Sequence, residues 1–366
     1  MSKIISIGTA VPKYGTAQST ILDFMIEAYK DETAARKLKI LFHHSGISTR
    51  YSAVSDFDSS KPGFKLFDDD KTAPAIDKRI DVFKEHALLL AIEAIEDSLN
   101  KLKTTLPEFG ITHLITVSCT GLYAPGLDAE LIEKLNLPDD IFHIAVNFMG
   151  CNAAFHALKL GDMIAKTDEK AKVLIVCVEL CTLHFQPKNN HDNLLSNTIF
   201  GDGAAAVVIV ADTEAKQKYH NEITINGFYS VLLHKGKDLM SWNITPLNFE
   251  MVLDAKVPEF IGDEVTGIVL KAGKKLNITT EKIDNWVVHP GGKKILDTIK
   301  KQLQLNDADL QSSYKVLEKY GNMSSPTILF VLNEIMQADH KPHETIFSIG
   351  FGPGLSIETA LFTYVE

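Results

Sequence analysis

The chain has 366 residues, too many for one small domain and enough for two or three at roughly 150 residues each. Hydrophobic residues make up 45% and charged residues 23%, the balance of a globular protein with a sizeable core. A formal net charge of −10 argues against a basic nucleic-acid-binding face, and no apolar run approaches the roughly 18 residues that a membrane span requires.

The chain begins MSKIISIGTAVPK, a short β-rich run without the charged start and long apolar core of a signal peptide. Apolar runs rich in Ile and Val predict strands over 3–8, 113–118, 141–147, 173–178, 204–210, 286–288 and 344–349. Between them, amphipathic periodicity predicts helices over 20–41, 79–102, 128–135, 152–165, 265–276, 293–303 and 327–336. This alternation implies mixed sheets covered by helices. The four cysteines, Cys119, Cys151, Cys177 and Cys181, have no CxxC spacing and fit no zinc pattern. They point to free thiols in a reducing cytoplasm.

The two halves echo each other in order. HLITVSCTG, NFMGCNAAFHALKL and FGDGAAAVVIV correspond to NWVVHPGG, YGNMSSPTILFVL and GFGPGLSIETALFTYV, and KIISIGTAVP corresponds to EITINGFYSV. The polar stretch 212–222 (DTEAKQKYHNE) is the natural joint, dividing the chain into 1–212 and 222–366.

Cys151 follows a strand-like run and Gly150, and precedes Asn152-Ala153-Ala154 at a helix start. Exposed N–H groups and the positive helix end favour a thiolate there. The position also suits a buried structural cysteine. His289 ends a strand that Pro290-Gly291-Gly292 stops, where loops build sites, and it reads equally as a merely exposed histidine. Asn322 precedes a helix whose first turn holds Pro326, and reads as a functional amide or a capping residue. The repeat puts all three at corresponding places, which favours a joint role.

VNFMGCNAAFHALK, WVVHPGGKKILD and YGNMSSPTILFVL resemble the nucleophile, histidine and asparagine segments of the type III (chalcone-synthase-like) polyketide synthases, bacterial branch. FGDGAAA and GFGPGLSIET match the two Gly-rich signatures of that family, and the likeness spans residues 5–358. It implies an α/β, thiolase-like fold, with two duplicated halves in a five-layer αβαβα sandwich, and a homodimer. It also implies an acyl-CoA starter loaded on Cys151, with His289 holding the thiolate as an ion pair. His289 and Asn322 would stabilise the enolate formed as malonyl-CoA loses CO2, with condensation repeated before cyclisation and no cofactor besides the CoA thioesters.

The resemblance further implies gates at Phe200 and Phe249, and a cavity shaped by Cys119, Cys181, His184, Met240, Ser324, Pro353 and Gly354. Lys37 matches a residue that binds CoA phosphates; the next two such positions are Ile40, which departs from the family, and His44, with Arg50 nearby. An ordinary solvated helix face explains the same charges. The nearest alternative is an initiating 3-ketoacyl-ACP synthase with the same Cys-His-Asn set, although HPGG and GNMSS point away from it.

Overall fold

The strands form where the sequence offers short β-branched runs between turn residues. In chain order they are β1 (Ser2–Ala10), β2 (Tyr14–Ala17), β3 (Thr49–Ser52), β4 (His113–Ser118), β5 (Phe142–Asn147), β6 (Lys172–Leu180) and β7 (Asp202–Ala211). There follow β8 (Ile223–Leu232), β9 (Met240–Ile244), β10 (Phe249–Leu253), β11 (Asn285–Val288), β12 (Thr345–Gly352) and β13 (Ser356–Tyr364). This is a computed structural model that describes residues 1–68, 73–212, 219 and 221–365.

Nine strands join in the order β11-β12-β13-β8-β1-β7-β6-β4-β5. Read inward from either edge, the order repeats: β4-β6-β7-β1 on one side has its counterpart in β11-β12-β13-β8 on the other. In each set the first pair is parallel and the rest antiparallel. β5 is extra on the first side. The two sets meet where Ser2, Lys3 and Ile4 of β1 pair with Ile225, Thr224 and Ile223 of β8. The central strands read as almost unbroken apolar runs because both faces are covered; every residue of β7 is buried.

Helices complete five layers. The helix Ile76–Lys101 packs outside β1, β6 and β7. The helices Ala153–Thr167 and Thr327–Met336 lie between the two strand sets, in a core with Val173, Ile175, Val287 and Ile346. The helices Val257–Leu276 and Lys293–Gln302 cover the far side, with Trp286, Phe347 and Ile357 beneath them.

Two expectations need correction. The helix expected over 20–41 is two helices, Gln18–Tyr29 and Glu32–His44. Lys30 turns left-handed (φ 48°), and the Asp31 carboxylate then accepts the N–H groups of Thr33 and Ala34, capping the second helix. The helix expected from 265 starts at Val257, with Pro258 in its first turn. In the expected joint 212–222, residues 213–218 and 220 lie outside the described residues.

Candidate active site

Cys151 lies in the turn between β5 and the helix Ala153–Thr167. Gly150 before it has φ 81°, and a Cβ there would stand 2.1 Å from Cδ of Pro353. Conformation and space both demand glycine. The turn is held from two sides. Gly150 N–H donates to Cys119 Sγ (3.0 Å), and Asn152 Nδ2 donates to Ser356 Oγ (2.8 Å).

His289 follows β11, with its backbone N–H donating to Ile349 O (2.9 Å). Asn322 connects to it through the next turn, where Asn322 Nδ2 donates to Gly291 O (3.3 Å). Asn322 Oδ1 accepts from Ser324 N–H (2.8 Å), which fixes the amide orientation and holds Ser324 at φ 60°. The Ser324 and Asn322 side chains lie close enough to the Cys151 sulfur to favour its thiolate. Asn322 is thus tied to the turn after His289 and reaches the Cys151 sulfur.

A thiol near a helix start is expected to ionise easily, but here burial wins. It pushes the Cys151 thiol up to about 11, with Glu179 adding to the rise and Ser324 and Asn322 opposing it. Burial likewise takes the His289 imidazole down to about 3. Among the described residues neither His289 ring nitrogen has a hydrogen-bond partner, although His289 is 1% exposed. Burial thus opposes ionisation of each group taken singly, and the expected ion pair with His289 would have to offset that cost.

Two hollows flank one helix. An inner cavity of about 60 Å3 is lined by Cys151, Cys119, Cys181, His184, Phe200, Phe249, Ser324 and Trp242. A larger outer cleft of about 310 Å3 is floored by Leu41, Leu195, Ile199, Leu253 and Ile295, with His44, His191, Lys293 and Lys294 among its polar residues. The helix His191–Ile199 and strand β10 contribute to both. Phe200, at the end of that helix, stands on the inner side of the partition.

A sequence profile for the N-terminal domain of chalcone and stilbene synthases matches residues 1–213, and one for their C-terminal domain matches residues 229–366. The chain belongs to the chalcone and stilbene synthase family. It is 29% identical to the alpha-pyrone synthesis polyketide synthase-like Pks18 of Mycobacterium tuberculosis, over 99% of this chain and 91% of that protein. A putative chalcone synthase of Bacillus subtilis is 28% identical over 100% of this chain and 99% of its own length. The crystal structure of PKS-I from the brown alga Ectocarpus siliculosus matches with a TM-score of 0.93 at 26% identity, covering 100% and 98% of the two chains. Like its relatives, this chalcone and stilbene synthase family member is a type III polyketide synthase, an acyl-transferring enzyme that works on CoA thioesters.

Within this member of the family, not every anticipated residue lands at the cavity. Met240 does not line it. It packs in the apolar core with Met251, Leu253 and Leu355, and its carbonyl accepts Gly354 N–H (3.2 Å). Trp242, two residues on and so on the same face of β9, takes the cavity position. Pro353 and Gly354 act from behind, where Pro353 presses on the Gly150 turn. Arg50 is no surface phosphate ligand. It is 4% exposed, with Nε donating to Gln18 Oε1 and Nη1 to the carbonyls of Asn197 and Phe200. Lys37 is exposed on the helix Glu32–His44 and lines neither hollow, whereas His44 lines the outer cleft.

Glu179 went unnoticed in the sequence. It is fully buried, accepting Cys119 N–H (2.9 Å), Thr120 Oγ1–H (2.8 Å) and Ser325 Oγ–H (2.6 Å). It thus ties the loop after β4 to the Asn322 segment. A lone carboxylate in the apolar run KVLIVCVEL was the available signal, because a buried charge requires such partners.

Proposed function

We propose that the Cys151 thiol attacks an acyl-CoA starter, passes its proton to His289 and expels CoA, leaving an acyl thioester on the enzyme. Malonyl-CoA then enters through the outer cleft. The His289 imidazole and the Asn322 amide donate to its thioester carbonyl as CO2 leaves, stabilising the enolate. The enolate attacks the acyl carbon, Cys151 leaves as thiolate, and the lengthened chain rides on CoA until it returns to Cys151. Repetition and cyclisation release the product, with no cofactor besides the thioesters.

The observation that supports this reading best is the buried His289 ring, both of whose nitrogens are unpartnered among the described residues. A polar group left unpaired in a core is costly, and a substrate carbonyl beside Asn322 would relieve it. For the carrier, His44 and Lys37 remain the proposed phosphate contacts from the helix Glu32–His44, with Lys293 and Lys294 across the cleft.

The enzyme would act as a homodimer in the cytoplasm. β5 is an edge strand exposing Phe142 (51%) and Ile144 (37%), an edge suited to pairing with its own copy about a twofold axis. All four cysteines are free thiols, which suits a reducing compartment. No helix among the described residues is long and apolar enough to cross a membrane. Sedimentation of the wild type and of Ile144→Glu tests the dimer: the variant should shift toward monomer, and a monomeric wild type would refute it.

Mass spectrometry of products from malonyl-CoA, alone and with acyl-CoA starters, tests the chemistry. Cys151→Ala should lose acyl loading and polyketide formation but keep some malonyl-CoA decarboxylation. Absence of any malonyl-derived product from the wild type would overturn the reading.

A further inference from the structure

The Gly-rich run FGDGAAA takes no part in the chemistry above, yet it carries one charged side chain into the core. Asp202 begins β7 and is 0% exposed. Its Oδ1 accepts the Thr182 N–H (2.8 Å), and its Oδ2 accepts the Thr182 hydroxyl (2.7 Å) and the Ala53 N–H (2.8 Å). Thr182 lies in the short turn Cys181–His184 after β6, and Ala53 follows β3. Because Thr182 Oγ1 spends its proton on Asp202, Ser52 Oγ donates to it in turn (2.8 Å). A carboxylate persists in a core only when its lone pairs are taken up in this way. Asp202 thereby fastens the start of β7 to two separate segments of the N-terminal half.

The residues on either side of Asp202 lie against the segment that carries Asn322. Gly201 N–H donates to the Asn322 carbonyl (3.0 Å), and Asn322 N–H donates to the Ile199 carbonyl (2.9 Å). The approach is close. A Cβ on Gly201 would stand 2.8 Å from the Tyr320 carbonyl oxygen, and one on Gly203 would overlap Met323 Sδ. Side chains at these two positions would push the segments apart. Ser324 sets the orientation of the Asn322 amide, and the two backbone bonds set its location. The glycines permit that contact, and Asp202 secures it from one residue away.

We propose that Asp202 is a positioning residue for malonyl decarboxylation, holding the Asn322 amide where the thioester carbonyl is received, a role that rests on the polyketide-forming reading above. Released from Thr182 and Ala53, the Phe200–Gly201 peptide would be free to move, and Asn322 with it. Misplacing a group that meets the transition state by about 1 Å costs up to about a hundredfold in rate. The outer cleft that admits the carrier is lined by neither Asp202 nor Asn322. Loss of the clamp should therefore lower kcat and leave KM nearly unchanged.

Asp202→Asn replaces one acceptor oxygen by an NH2 group that faces a donor, so at least one of the three bonds is lost. Its kcat for malonyl-CoA decarboxylation should fall about tenfold or more, with KM within about twofold of wild type. The deciding measurement is the same substitution in the Asn322→Ala background. A residue that acts through Asn322 has nothing left to act on there. The double variant should therefore decarboxylate within about twofold of Asn322→Ala alone. Thr182→Val keeps the side-chain shape and loses one donor to Asp202. It should show the same pattern more weakly, and it carries the comparison if Asp202→Asn fails to fold.

Wild-type decarboxylation in every folded variant of the two, or the same proportional loss with and without Asn322, overturns the role of Asp202 and leaves polyketide synthesis intact. A wild type that neither decarboxylates malonyl-CoA nor builds malonyl units into a product overturns the underlying reading and this role with it.

Discussion

Phe200 and Asn322 are joined through their backbones: Asn322 N–H donates to Ile199 O (2.9 Å), and Gly201 N–H donates to Asn322 O (3.0 Å). The two residues form an isolated parallel bridge between the N-terminal and C-terminal halves. The aromatic side chain at the partition and the amide beside Cys151 therefore cannot shift independently. Arg50 anchors this bridge from below by donating to the Phe200 carbonyl (2.7 Å).

Arg50→Met should be destabilising and should disturb catalysis from a distance. It leaves three acceptors without their donor, and bonds from a charged group contribute about 1.5–3 kcal/mol each. We expect a loss of about 3 kcal/mol in urea unfolding, and a lower kcat with acyl loading of Cys151 preserved. An unchanged unfolding midpoint would show that the buried guanidinium is not the anchor.

The pH dependence of thiol reactivity tests whether burial or pairing with His289 governs Cys151. With the Cys151 thiol pushed up to about 11, its thiolate fraction rises about tenfold per pH unit below that value. Iodoacetamide labelling of Cys151, read by peptide mass spectrometry, should climb steadily from pH 7 to 9. A plateau starting below pH 7 would instead reveal a standing thiolate–imidazolium pair.

Glu179→Gln should make Cys151 more reactive, because the carboxylate raises the thiol pKa and the amide does not. Labelling at pH 7.5 should be several-fold faster than in the wild type. Glu179→Ala also strands the donors on Cys119, Thr120 and Ser325. At about 1–3 kcal/mol for a buried unpaired group, it should lose at least about 2 kcal/mol of stability.

Asn322→Ala separates loading from decarboxylation. Removing one oxyanion donor costs about 10²–10³ in rate. Malonyl-CoA decarboxylation should fall by that factor while starter loading on Cys151, followed by intact-protein mass, continues.

Much of this was legible in the sequence because it was local. The repeat appears as matching strand orders, and Asn322 ties the turn after His289 to the Cys151 segment. What escaped was set by tertiary burial. Burial opposes the helix-start chemistry at Cys151, and Arg50 reads as a surface cation until its three backbone and amide partners appear. Met240 failed for a narrower reason: a strand face admits residues 240 and 242 alike, and only packing decides which reaches the cavity. The break at Lys30 was marked by Asp31 but masked by continuous periodicity on either side.

The partition helix His191–Ile199 carries one further implication. Asn193, Ser196, Asn197 and Phe200 recur at three- and four-residue steps and look inward, while His191, Leu195, Thr198 and Ile199 look toward the cleft. One short stretch of chain thus writes two vocabularies on opposite sides of the same page. A lineage, or an engineer, can rewrite what is made without rewriting how the carrier is admitted.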